Sequence, residues 1–340
     1  MVSTTIPTKD VDFNEMRETI TPVALANATK YYCMKKLLLL LILLVGQSVF
    51  AQQIEVKSTE LIKSTESGDF YFALFSPKGT YLLTSSANYA GLRQIMLATQ
   101  EVRILTQEPG AGYDVKISAD ESTILFKKTE FIKNVRYTSL YQYSLTDNKT
   151  VKIENAVREK LTPAFAQNKP AFVKGKNLIK SANVTDSEIT PFINIEDRKM
   201  ALYKGNDKKI LVPNGENESY FWASISPDGK HIVYTTAAKG TFVCNIDGSN
   251  PVPLGKLNAP VWLNSQWIVG MDDKDDGSIV LSSSLVAATA DGKVRQALPA
   301  PSINIAMYPA ASPDGTQIAF NTEKGEIYLM NINIKEETGL

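Results

Sequence analysis

The chain has 340 residues, with 36 basic and 36 acidic side chains and a formal net charge of zero. This balance gives no electrostatic reason to expect nucleic acid or an anionic membrane surface as a partner. The length allows two average domains, but β-rich repeat domains often exceed about 250 residues as a single unit.

A targeting segment is predicted near the N-terminus. Lys35 and Lys36 precede an unbroken apolar run over residues 37–45, which is too short for a membrane span of about 20 residues. We interpret residues 34–51 as a cleaved secretory signal and residues 1–33 as an upstream, disordered extension. The predicted location is therefore the periplasm or the outside of the cell, with no membrane span after cleavage.

Cysteine usage excludes a framework of internal disulfides. Cys33 and Cys244 are the two cysteines of the chain, and they lie on opposite sides of the predicted cleavage site, so the mature chain would keep one thiol. Cys244 lies in an apolar run, which predicts a buried, inert side chain.

A turn-and-strand module recurs along residues 52–340. Ser312-Pro313-Asp314-Gly315 suits a type I turn, in which serine, proline and glycine occupy their favoured positions. Ser226-Pro227-Asp228-Gly229 repeats it, Ser76-Pro77-Lys78-Gly79 varies it, and each is followed by a short apolar strand. We expect Asp228 and Asp314 to cap the turn backbone.

The spacing of these modules predicts an all-β fold. Ser76 and Ser118 are 42 residues apart, and Ser226 and Ser312 are 86 apart, or two units of 43. Self-similarity at this period with four strands per unit is the signature of a β-propeller. The sequence predicts six four-stranded antiparallel blades over residues 52–340, with the segment near Ile54 supplying the last outer strand and closing the ring.

Three segments depart from the regular repeat. The second unit contains a longer insertion at residues 129–137. The third unit, residues 161–217, is expected to form one blade carrying an extra segment at residues 177–195, which is a candidate binding loop because extra loops on a propeller often carry function. In the fifth unit, residues 278–282 and 285–290 are expected to form separate strands.

The Ser-Pro-Asp-Gly repeats resemble those of the TolB-like six-bladed propeller family and of the related propellers of prolyl oligopeptidase and dipeptidyl peptidase IV. The resemblance covers residues 69–334. It implies the fold and a protein-binding role in the cell envelope. The α/β domain that precedes the propeller in TolB and the hydrolase domain of the peptidases are not expected in this chain.

No catalytic constellation is predicted. The sequence lacks the Gly-x-Ser-x-Gly motif of a nucleophile elbow, and His231 is its one histidine. His231 lies in a regular blade strand, which favours a structural role over proton transfer. A single histidine also argues against a metal site built from several histidines. We therefore predict a non-enzyme.

Two groups of residues are candidate binding sites. The carboxylates Asp272, Asp273, Asp275 and Asp276 are the candidates for a Ca²⁺ site, although the EF-hand spacing is absent and a solvated loop between strands is the favoured interpretation. Trp222, Trp262 and Trp267 lie near first strands of the fourth and fifth units, where they either pack between blades or offer a stacking surface to a sugar or peptide.

The sequence thus predicts a secreted, monomeric, non-catalytic scaffold that binds an envelope protein or peptide, without a cofactor. Two alternatives remain: a carbohydrate-binding module that uses the tryptophans, and a Ca²⁺-dependent hydrolase or lyase that uses the aspartates.

Overall fold

The computed structural model describes residues 53–64, 66 and 69–335. The predicted upstream extension and secretory signal lie outside these residues. Within them, no helix is long and apolar enough to cross a membrane. The fold is all-β, as predicted, and a single turn of 3-10 helix spans Asp186–Glu188.

The described strands form seven antiparallel sheets, each a blade of a propeller. The first strand, β1 (Ile54–Lys63), belongs to the last blade. Blade 1 contains β2 (Tyr71–Phe75), β3 (Tyr81–Ser85), β4 (Leu92–Met96) and β5 (Val102–Thr106), and blade 2 contains β6 (Lys116–Ile117), β7 (Thr123–Ile132), β8 (Val135–Ser144) and β9 (Lys149–Val157). Blade 3 contains β10 (Leu161–Ala166), β11 (Lys169–Lys174) and β12 (Asn177–Lys180), and blade 4 contains β13 (Phe192–Glu196), β14 (Lys199–Lys204) and β15 (Asp207–Leu211).

The remaining blades have four strands each. Blade 5 contains β16 (Tyr220–Ile225), β17 (His231–Thr236), β18 (Gly240–Asn245) and β19 (Val252–Gly255). Blade 6 contains β20 (Asn258–Trp262), β21 (Trp267–Asp275), β22 (Val280–Thr289) and β23 (Arg295–Leu298). Blade 7 contains β24 (Met307–Ala311), β25 (Gln317–Asn321), β26 (Ile327–Ile334) and, on its outer edge, β1.

The predicted count of six blades is wrong, because the third repeat unit forms two blades. Two-residue turns connect the strands of blades 3 and 4, including Asp197-Arg198, at which both residues have positive φ (48° and 65°). Such tight turns let three strands fit into about half of the predicted unit. The segment at residues 177–195 is therefore no inserted loop: it supplies β12, the 3-10 turn and most of β13.

The recurring turns have the predicted geometry. Gly229 N donates to Ser226 O (2.9 Å), while Asp228 Oδ1 accepts hydrogen bonds from Ser226 Oγ (2.6 Å) and Lys230 N (3.1 Å). Asp314 caps its own turn in the same way. Gly229 has φ +71°, a conformation that a glycine adopts without strain.

Ring closure by the first strand is confirmed. β1 pairs antiparallel with β26 from Ile54↔Ile334 to Lys63↔Ile327. Closure leaves blade 7 with a complete set of four strands, and removes the free edge that β26 would otherwise expose. The blades pack through apolar clusters between neighbouring sheets, and the cluster between blades 6 and 7 includes Ile54, Phe320 and Met330.

Cys244 is buried as predicted, and burial raises the pKa of its thiol to about 12. Because the thiolate is the reactive species, we expect Cys244 to resist a thiol reagent at pH 8 while the protein is folded. Titration with 5,5′-dithiobis(2-nitrobenzoate) should count the same thiols in native wild type and Cys244→Ala. In denaturing urea the wild type should show one more. A difference between the native proteins would contradict this burial.

Candidate binding site

Five blades present a residue with left-handed backbone where the inner strand begins. The residues are Phe72, Asp114, Trp222, Ala259 and Tyr308, with φ between 47° and 58°. Each lies four residues before the turn that leads to the second strand. Left-handed conformations at non-glycine residues cost about 1–3 kcal/mol and concentrate at functional sites.

At four of these positions the pairing of the inner strand with the second strand shifts register, which marks a β-bulge. A bulge redirects the side chain of the extra residue. Because the inner strands of a propeller run in the same direction, these five residues lie at one end of the central channel. We call this end, defined by the five residues, the channel mouth.

Aromatic rings form a continuous row at the channel mouth. Phe72 stacks on Tyr89 with ring centroids 4.1 Å apart, and the centroids of the Phe72 and Tyr308 rings are 4.8 Å apart. Tyr113 meets Tyr89 edge to face at 5.4 Å. These four rings, the aromatic row, link blades 7, 1 and 2. Burial raises the pKa of Tyr89, Tyr113 and Tyr308, so their hydroxyls stay neutral at physiological pH.

A long hairpin, made of residues 129–138 of β7 and β8, lies beside the aromatic row. Lys133 and Asn134 form its turn with φ of 49° and 61°, the signature of a type I′ turn. β7 has ten residues where β3 has five, so it extends roughly 16 Å farther at about 3.3 Å per residue. The insertion expected at residues 129–137 is therefore an extension of two regular strands. Its tip is apolar, since Phe131 is 71% and Ile132 51% exposed.

A groove of about 1090 Å³ lies between the long hairpin, the aromatic row and the connection from blade 2 to blade 3. Tyr89 and Tyr113 line one wall, Phe131 lines another, and Arg158 and Lys160 come from the connection. Its size suits a ligand of several residues, and its walls combine apolar rings with charged groups.

Lys127 lies at the base of the groove and is almost completely buried. Its Nζ donates to Asp114 Oδ2 (3.1 Å) and Leu161 O (3.3 Å), and lies 4.5 Å from the centre of the Tyr113 ring. Burial lowers the pKa of Lys127, while the Asp114 carboxylate opposes this shift. The ion pair fixes the left-handed Asp114 and supports Tyr113 through a cation–π contact.

Five basic side chains and three carboxylates, Glu108, Glu130 and Glu159, line the groove, so its charges are unbalanced. Lys128 forms ion pairs with Glu108 (3.1 Å) and Glu130 (3.2 Å), which uses both of these carboxylates. Arg136 and Arg158 are exposed, and neither forms an ion pair with a residue that the structure describes.

Lys160 is the third cation of the rim. Its Nζ donates to neutral oxygens, Asn194 Oδ1 (2.9 Å) and Ile195 O (2.8 Å). Burial lowers the pKa of Lys160, and the nearby carboxylates of Asp114 and Glu196 oppose this shift. We call Arg136, Arg158 and Lys160 the basic rim.

The structure separates the three predicted tryptophans. Trp222 is 42% exposed and lies at the channel mouth, in contact with Phe221. Trp262 and Trp267 are buried in clusters between blades, and Trp262 Nε1 donates to Ser224 O (3.2 Å). As placed here, only Trp222 of the three offers much ring surface to a ligand. A ligand-binding role for the tryptophans stays a prediction.

The four predicted aspartates lie on β21 and the turn that follows it, each with its own partner. Asp272 pairs with Arg295 (3.0 Å), and the buried Asp273 accepts from Asn258 Nδ2 (2.7 Å). Asp275 and Asp276 accept backbone N–H groups of the turn.

Within residues 53–64, 66 and 69–335, no three His, Cys, Asp or Glu side chains are grouped to hold a metal ion. Calcium binding by the four aspartates stays a prediction. In the same blade, residues 280–289 form one continuous strand, β22, instead of the two expected.

Sequence reasoning missed the aromatic row and the basic rim. Their residues come from blades 7, 1, 2 and 3, and no local motif connects them. One signal was present in the sequence: apolar Phe131 and Ile132 next to a Lys-Asn turn, in a repeat that is otherwise of regular length.

Solved structures of similar fold include TolB from Acinetobacter baumannii, at 16% identity and a TM-score of 0.51, covering 75% of this chain and 59% of that chain. A chain of the mitotic checkpoint complex is similar at 10% identity and a TM-score of 0.55, covering 81% and 91%. An oligogalacturonate lyase from Vibrio parahaemolyticus is similar at 13% identity and a TM-score of 0.43, covering 77% and 78%.

At these identities the likeness shows the fold: a TolB-like β-propeller, here with seven blades. The chain matches 59% of the length of the A. baumannii protein. No protein-family model matches the sequence, and no curated protein is significantly similar to it.

Proposed function

We propose that this protein is a non-catalytic scaffold that binds a protein or peptide partner in the bacterial cell envelope through the channel mouth. The groove beside the aromatic row is the observation that carries the proposal. Tyrosine and arginine are over-represented among residues that dominate binding energy at protein interfaces, and both are concentrated here. The left-handed backbone of Asp114, whose carboxylate accepts from Lys127 at the base of the groove, supports the same site.

The envelope location rests on the predicted secretory signal at residues 34–51. The resemblance of the Ser-Pro-Asp-Gly repeats to TolB-like propellers supports binding of a protein partner over an enzymatic activity. Stacking of a sugar on Tyr113 and Trp222 is the second candidate, because these side chains are 47% and 42% exposed.

The proposal is tested by affinity capture. The full chain with a C-terminal tag is expressed in bacteria, and envelope extracts are analysed by mass spectrometry. We expect one protein to be enriched by the wild type and lost from Phe131→Ser, while Val151→Ser retains it. Val151 is a matched control because it is a 56% exposed apolar residue on the outer strand of the same blade. Enrichment of no protein, or equal enrichment by all three forms, would count against the proposal.

A further inference from the structure

We propose that the groove binds an acidic segment of the partner in an extended conformation, added as a strand along the inner edge of β7. This inference rests on the proposed function and names the chemistry of the bound segment. Three features of the groove carry it: an open strand edge, the two rings of the aromatic row that line the groove, and the charge of the basic rim.

The open edge comes from the unequal lengths of β6 and β7. β6 pairs with β7 only at Lys116↔Leu125 and Ile117↔Ile124. Farther along β7, Thr129 N donates to Pro109 O (2.7 Å) across the same edge. Alternate residues of a strand direct their backbone groups to the same side, so the N–H and C=O of Phe131 face this edge as well.

No strand of the described chain pairs with that edge beyond residue 129. Pro109, Thr129 and Phe131 all line the groove, which places the edge along its wall. An exposed strand edge is a template for an added strand, and strand addition is an established mode of peptide recognition. The backbone of an extended peptide can pair with both the N–H and the C=O of Phe131 at this edge. A lipid or a small anion lacks the matching pair of backbone groups.

Two rings of the aromatic row, Tyr89 and Tyr113, line the groove, and their centroids are 5.4 Å apart. An extended chain advances about 3.3–3.6 Å per residue, so these two rings accommodate about two residues of the apolar part. Apolar or aromatic side chains on alternate positions would face the rings, while Phe131 covers the segment from the other wall.

The basic rim sets the charge. Glu108 and Glu130 both pair with Lys128. Glu159 also lines the groove, but no described carboxylate, Glu159 included, lies within ion-pairing distance of Arg136 or Arg158. A peptide carboxylate supplies the missing anion, and its pairing with arginine would be charge-assisted. The segment therefore carries Asp or Glu at the end next to the rim and apolar residues along the row.

The test is a selection from phage-displayed random linear dodecapeptides on the immobilised full chain. We expect enrichment of peptides with Asp or Glu adjacent to apolar or aromatic residues. A synthetic peptide from the selection should bind Arg136→Glu/Arg158→Glu at least tenfold more weakly than wild type, and its affinity should fall as NaCl rises. Lys149→Glu/Lys230→Glu is the matched control, because it changes the net charge equally at exposed positions outside the groove, and it should bind as wild type does.

The strand geometry has a separate readout. Single N-methylation along the selected peptide removes one backbone N–H at a time, and we expect affinity to fall mainly at the one position whose N–H donates to the backbone oxygen of Phe131. Selected peptides without acidic residues, no enrichment over uncoated support, or unchanged binding by the Arg136→Glu/Arg158→Glu variant would overturn the proposal. Binding of alginate, an anionic polysaccharide, in place of any peptide would overturn it too. If affinity capture still finds one partner in those cases, the scaffold function stands and the assignment of the acidic segment fails.

Discussion

Ile54→Ala should lower the free energy of unfolding by about 3 kcal/mol, within the range for a large-to-alanine change in a packed core. Ile54 is fully buried between blades 6 and 7. Its backbone N donates to Gln296 Oε1 (3.1 Å), and its backbone O accepts from Gln296 Nε2. The residue thus joins the closing strand to the neighbouring blade, and the cavity left by alanine would weaken the closure. Urea denaturation followed by circular dichroism measures the effect.

Leu61→Ala is the control for ring closure. Leu61 lies on the same strand but is 45% exposed, so its truncation should cost less than about 1 kcal/mol. If Ile54→Ala and Leu61→Ala both lose little stability, β1 does not close the ring as described. If Leu61→Ala loses as much stability as is expected for Ile54→Ala, the faces assigned to the strand are wrong.

The second large effect is expected from Gly112→Ala. A methyl group on residue 112 would lie 2.1 Å from Ser85 Oγ and 2.2 Å from Ser85 Cβ, closer than atoms can approach. Gly112 N also donates to Tyr89 O (3.0 Å), so relief of the clash would move Tyr89 and Tyr113 apart. We expect a loss of about 2 kcal/mol in stability, typical of overpacking, and weaker binding of the partner. Thermal or urea unfolding and the peptide binding assay measure the two effects.

A double-mutant cycle isolates the clash. Ser85→Gly removes both clashing atoms, although it also loses the hydrogen bond from Ser85 Oγ to Gly91 O (2.8 Å). In the Ser85→Gly background, Gly112→Ala should be close to neutral, so the coupling energy should be about 2 kcal/mol. Additive losses would show that the two residues do not meet.

The sequence predicts the blades whose turns follow local rules. Blades 5 and 7 are marked by Ser-Pro-Asp-Gly, and blade 1 by Ser-Pro-Lys-Gly, because each turn residue supplies its own φ angle or cap. Blades 3 and 4 carry no such motif. Their turns, such as Gln167-Asn168 and Asp197-Arg198, are only two residues long, so each of these repeats is shorter than 43 residues. A count based on a fixed period of 43 residues therefore assigns the two blades to one unit.

The candidate site was less accessible to prediction, for a different reason. Phe72 and Tyr308 are 236 positions apart in the sequence, and only ring closure brings their rings within 4.8 Å. The left-handed backbone that directs these side chains is imposed by strand pairing, not by glycine or asparagine, so the residue types do not reveal it. The open edge of β7 likewise depends on how far β6 extends, which tertiary pairing decides.

The most direct test of the binding role is site-specific photo-crosslinking in cells. A benzoylphenylalanine residue replaces Phe131 at the tip of the long hairpin or, as a control, Val151 on the outer strand of the same blade; both positions are exposed. The account predicts a covalent adduct with one protein at position 131, none at position 151, and loss of the adduct when Arg136→Glu/Arg158→Glu is added. Absence of an adduct at position 131, or the same adducts at both positions, would contradict a partner site at the channel mouth.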